Sequence, residues 1–149
     1  MLKALKKGTR IAKYGSYAGE DILEMSGARG ERLFGQFAFT PSAETEIKSV
    51  EFDGFFGKKN FPAGTEIEWA ACVKLNKASC SYGLEGEVPE VLVPLSRMLS
   101  ERSYSRIARG ENRVFCCSFT IPRDCGRGEY TGRLVLQTES AAYEMEVRL

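Results

Sequence analysis

The sequence predicts an all-β chain, an antiparallel β-sandwich of seven to nine strands, and three observations carry that reading. Residues 114–149 divide into three alternating strands and two turns, the closing meander of a sandwich. Residues 65–75 alternate strictly, with Ile67, Trp69, Ala71, Val73 and Leu75 on one face, as a half-buried antiparallel strand should. Short apolar runs recur about every 8–12 residues between Gly- and Pro-bearing turns, with little helical periodicity.

Each element follows in chain order. Residues 1–20 hold Lys3, Lys6, Lys7, Arg10 and Lys13 and no acid before Glu20, so they read as a basic arm or linker ahead of a sandwich spanning 21–149. Leu2 and Leu5 could form a fragment of helix. Residues 22–25 make a short first strand, closed by a turn at 26–30. Residues 31–40 make a second, with Leu33, Gly35, Phe37 and Phe39 on one face. Its other face is also fairly apolar, which suits an interior strand. Residues 46–52 form a third, with Val50 and Phe52 inward, and 53–64 form a loop rich in Gly, Lys and Phe. After the strand at 65–75, residues 91–93 lie between Pro89 and Pro94. Prolines in such positions belong at a sheet edge, where no ladder donor is lost. Residues 95–109 are open between a helical turn at Leu95, Met98 and Leu99 and a strand or loop from Arg102 to Ile107. The closing strands are 114–121, 129–136 and 142–149.

Composition excludes several chemistries. The chain of 149 residues is one domain by size and can bury roughly 70% of its unfolded surface. Net charge is +1, so nucleic acid and anionic membranes are not expected as partners. Histidine is absent, which removes Ser-His-Asp and Cys-His nucleophilic sites and every His-ligated metal site. The five cysteines are odd in number and lack Cys-x-x-Cys spacing, so neither zinc nor any cofactor is expected. Cys116 and Cys117 are adjacent in a strand and point to opposite faces. Buried free thiols fit a reducing compartment, although Cys80 or Cys125, near turns, could form a disulfide. No transmembrane run or signal peptide is present, and the compartment stays open.

The turn from Ile121 through Pro122, Gly126 and Gly128 to Tyr130 is similar to one common in bacterial Ig-like and fibronectin-like domains. Pro122 ends a strand, the glycines permit the turn, and Tyr130 can bond back to the backbone as in a tyrosine corner. A longer resemblance covers residues 27–149: Gly30-Glu31 with Arg32 and Gln36 in the opening strand, the segment from Pro89 to Pro94, and Arg109-Gly-Glu-Asn-Arg-Val-Phe115 leading into the closing strands. In order and spacing these resemble the N-terminal β-sandwich of proteins related to glycoside hydrolase family 123. The resemblance implies that catalysis lies on a following barrel, where an Asp-Glu pair supports substrate-assisted hydrolysis of N-acetylhexosamine glycosides. That barrel would begin about where this chain stops, so no catalytic residue carries over.

Two contact candidates stand apart. In the 53–64 loop, Phe55 and Phe56 sit between glycines and precede Lys58 and Lys59. Such aromatics can stack on sugar rings or anchor a partner, or one of them can plug the end of the sandwich. Arg102, Tyr104 and Arg106, followed by Arg109, would share a face as a strand and form an anion-binding patch, or simply a solvated surface. Glu66 and Glu68 lie about 7 Å apart on one strand face, within the reach of a glycosidase carboxylate pair, but they read as solvated glutamates. Glu144 and Glu146 read the same way.

The expected function is therefore non-catalytic. The chain reads as an accessory or scaffold domain preceding a glycosidase barrel, with that catalytic domain or other subunits as partners and carbohydrate as the candidate ligand. The alternative is a stand-alone structural or interaction subunit of a larger assembly.

Overall fold

The computed structural model describes residues 1–61, 64–78 and 83–149. Two five-stranded sheets lie face to face. The first contains β1 (Leu2–Leu5), β3 (Arg32–Phe39), β5 (Glu66–Leu75), β6 (Gly86–Pro94) and β8 (Arg113–Thr120), in the order β1-β3-β8-β5-β6. The second contains β2 (Ile22–Glu24), β4 (Thr45–Phe52), β7 (Arg106–Ile107), β9 (Thr131–Thr138) and β10 (Ala142–Arg148), in the order β2-β10-β9-β4-β7. Two short helices, α1 (Leu95–Ser100) and α2 (Arg102–Ser105), carry the chain from β6 to β7, across one end of the sandwich.

The core forms where the inward parities meet. Phe37, Phe39, Phe115 and Phe119 of the first sheet pack against Ile47, Val50, Leu134, Leu136, Met145 and Val147 of the second. The Phe37 and Phe115 rings stack 5.1 Å apart. In β4 the inward residues Ile47 and Val50 are three apart, which strict alternation forbids. A bulge between Ile47 and Ser49 adds the residue that restores the register against β9. Edge position for the proline-flanked strand is confirmed, since β6 ends the first sheet. Its register against β5 slips between Ala71 and Cys72, opposite Pro89.

The all-β sandwich stands, with four differences from the sequence reading. Ten strands occur among the described residues, because β1 and β7 join the expected ones. The sheets are antiparallel except where β2 runs parallel to β10. The closing strands are not one meander: β8 lies in the first sheet and only β9 and β10 form a hairpin in the second. Alternation reveals which residues point inward but not which sheet a strand joins, and the turn before Tyr130 is long enough to cross.

The fourth difference concerns residues 1–20, read as an arm. Leu2–Leu5 pairs with β3 as a strand, not a helical fragment, burying Ala4 inside and Leu5 outside. Ile11 and Tyr17 then lie over the outer face of the first sheet, where Leu5, Ala38, Ala70 and Val114 form a second small core. Asn112, 2% exposed, holds this segment down. Its amide donates to the carbonyl oxygens of Ala12 and Gly15, both at 3.0 Å, and its Oδ1 accepts from Thr40 Oγ1 at 2.7 Å.

Candidate functional site

The described residues from the Phe/Lys loop and the Arg/Tyr stretch separate to opposite ends of the sandwich. The loop packs beside Tyr130 and the turn that precedes it. Phe55 is 1% exposed, its ring 4.9 Å from that of Phe52 and 5.4 Å from that of Phe119. The expectation of Phe55 as a contact residue is corrected accordingly: backbone bonds between Phe55 and Phe61 turn the ring inward, and it plugs the end of the core. Phe56, by contrast, is exposed while its backbone pairs with Thr131. Lys58 is exposed beside Gly128, and Lys59 pairs with Asp124, holding that carboxyl below its usual range. Tyr130 closes this end as a tyrosine corner, its hydroxyl donating to the Gly126 carbonyl at 3.0 Å.

At the other end, Arg102, Tyr104 and Arg106 do not share a strand face. Arg102 and Tyr104 lie on α2, and only Arg106 enters β7. The helical turn sends the three side chains apart: Arg102 to Glu46 at 3.3 Å, Arg106 to Glu44, and Tyr104 onto Trp69 with ring centroids 5.6 Å apart. Both arginines are thus spent on neighbouring carboxylates, and no arginine patch forms from them. Glu66, Glu144 and Glu146 are likewise engaged at the surface, with Arg32, Arg133 and Arg148.

Tyr104 instead marks a cleft of about 440 Å³ between α2 and the inner face of β5 and β8. Its floor is Trp69, and Arg113 sits over the indole at 4.9 Å from the ring centroid. The Arg113 guanidinium is nearly buried. It pairs with Glu111 at 2.8 Å and donates to the backbone carbonyl of Tyr104, which ties α2 to the sheet. Lys13, delivered by the docked N-terminal segment, pairs with Glu87 of β6 at 3.0 Å on the rim. That bond holds the lysine's pKa above its ordinary value. Arg97 of α1 lines the cleft while paired with Glu101 at 2.8 Å. The indole N–H of Trp69 is buried and has no hydrogen-bond partner among the described residues.

Sequence reasoning places Trp69 correctly in the core but misses Glu111, Arg113, Lys13, Glu87 and Arg97. One local signal was present. Arg113 occupies the inward parity of Phe115, Cys117 and Phe119, and a basic residue there calls for a buried partner. Cys116 is half-buried and Cys117 fully buried, as opposite faces require, and burial pushes the Cys117 thiol up to about 12. Cys72, Cys116, Cys117 and Cys125 are free thiols; the expectation for Cys80 falls outside the described residues. Among the described residues no helix is long and apolar enough to cross a membrane.

No family model and no curated protein matches this chain. Among solved structures it is similar to a family 123 glycoside hydrolase from Clostridium perfringens, described for glycolipid glycan hydrolysis. The TM-score is 0.66 at 13% identity, and the match covers 99% of this chain and 27% of that one. The chain therefore shares the sandwich fold with about a quarter of that enzyme's length.

Proposed function

We propose that this chain is a non-catalytic β-sandwich domain of a larger glycosidase-like polypeptide and that it contacts carbohydrate. The observation that carries the reading is the asymmetry of the structural match: nearly all of this chain corresponds to a minor part of a glycoside hydrolase. Two features of the chain support it. Histidine is absent, and the surface glutamates Glu66, Glu144 and Glu146 are engaged in ion pairs rather than facing one another across a cleft. Leu149 bonds with Tyr130, so a following domain would leave from the Tyr130 end, opposite the Tyr104 cleft.

A second reading, a subunit of a larger assembly, is favoured by one observation. Val91 and Leu92 are both about half exposed on the edge strand β6, where another strand or chain could add. Turnover assays on nitrophenyl N-acetylhexosaminides test the first reading. The isolated chain should show no hydrolysis above buffer. Hydrolysis abolished by Glu66→Gln or Glu68→Gln would make the chain an enzyme in its own right.

A further inference from the structure

We propose that the cleft between α2 and the sheet is a binding subsite for a neutral saccharide, with the Tyr104 ring as its stacking platform. The inference rests on the carbohydrate-contact reading above and assigns that contact to particular residues, at the end of the sandwich away from the Phe56 loop.

Three features of the cleft carry it. The first is a held aromatic surface. Tyr104 is 39% exposed, while the ring is steadied by Trp69 and its backbone carbonyl by Arg113. A ring already fixed loses little freedom when a pyranose stacks on it. The second is charge. The cations on the walls are already paired, Lys13 with Glu87, Arg97 with Glu101 and Arg113 with Glu111. Their fields cancel locally, so the cleft offers no net attraction to a phosphate, a carboxylate or an amine. It remains dense in N–H donors and carboxylate acceptors, the complement of a ring of hydroxyls. The third is the unpartnered indole N–H of Trp69, about nine-tenths buried at the floor. A buried donor without an acceptor is costly to maintain, and a sugar hydroxyl seated at the inner end of the cleft supplies one. The volume of about 440 Å³ lies within the range of small-molecule sites.

Trp69 is the only tryptophan, so its fluorescence reports this cleft and no other part of the chain. The chain is titrated with N,N′-diacetylchitobiose, lactose and maltose, with sodium glucuronate and sodium phosphate as charged comparators. The expected result is a saturable change in emission with at least one neutral sugar and none with the charged probes. Tyr104→Ala should weaken the response by about tenfold or more, and Phe56→Ala should leave it unchanged. Circular dichroism melting checks that Tyr104→Ala keeps the fold. Arg97→Ala, at an exposed position on α1, provides a second variant that should also weaken the response. Three results would overturn the proposal: no saturable change with any neutral sugar in the tens of millimolar range, a response to the charged probes alone, or undiminished affinity in both cleft variants. Sugar binding that survives in Tyr104→Ala but disappears in Phe56→Ala would move the contact to the other end, leaving the carbohydrate reading intact and this assignment wrong.

Discussion

Replacing Asn112 by alanine should detach the N-terminal segment from the sheet it covers. The side chain makes three hydrogen bonds, two to the backbone of residues 12 and 15 and one from Thr40, and it is 2% exposed. Thr40 keeps a second partner in the Tyr17 hydroxyl at 3.1 Å, so its loss is partial. At about 1 kcal/mol net for each bond, the substitution costs roughly 3 kcal/mol. A domain of this length loses about 2–4 °C of Tm per kcal/mol, so the midpoint should fall by about 6–12 °C. Thermal unfolding by circular dichroism measures the loss. Native-state hydrogen exchange locates it, because the Lys13 amide, bonded to the Glu87 carbonyl at 3.0 Å, should lose protection along with the segment. A midpoint within about 1 °C of the parent, with Lys13 protection unchanged, would refute the claim that Asn112 anchors the segment.

Other substitutions and conditions bear on the same structure. Tyr130→Phe removes the bond to the Gly126 carbonyl and should cost about 1 kcal/mol by urea denaturation; no change would mean that the corner contributes nothing. Gly132→Ala should destabilise by about 1–3 kcal/mol, since a Cβ there would stand 2.6 Å from the Gly54 carbonyl oxygen and meet the Phe52 ring; an unaltered urea midpoint would contradict that close approach. The Cys117 thiol has a folded pKa raised from 9.0 to about 12, because burial disfavours the thiolate. Its contribution is full below pH 9 and is lost as pH rises toward 12, since the unfolded chain releases this proton first. Stability measured between those values should decline accordingly, and Cys117 should resist a maleimide at pH 8 until the chain is unfolded; prompt labelling of the native protein would contradict its burial.

Much of the sandwich was legible because its strands obey a simple period. The run from Ile67 to Leu75, the inward phenylalanines of β8 and the proline-flanked β6 each follow from local physical rules, and each is found within a residue or two of its expected place or as the core of a longer strand. The missed elements lack such a signal. In β1 only four residues alternate before two lysines follow, and β7 is two residues long, held by its pairing with Thr45 and Glu46. Sheet membership was not legible either, because the pattern of β8 would be identical in either sheet. The cleft was least legible of all. Lys13, Trp69, Glu87, Arg97, Tyr104 and Arg113 are scattered over 101 positions, and the crossover through α1 and α2 brings them together only in three dimensions. The same crossover undid the expectation of an arginine patch, since helical turns disperse side chains that a strand would have aligned.

The central claim, that this sandwich serves as one domain of a larger glycosidase-like protein, is tested most directly by the intact mass of the native polypeptide isolated from its source. The native mass should lie well above the 16.6 kDa of this chain, with the excess sequence beyond Leu149 carrying the hydrolytic activity. A native mass equal to that of this chain would rule out a larger glycosidase-like polypeptide and leave the assembly-subunit reading in its place.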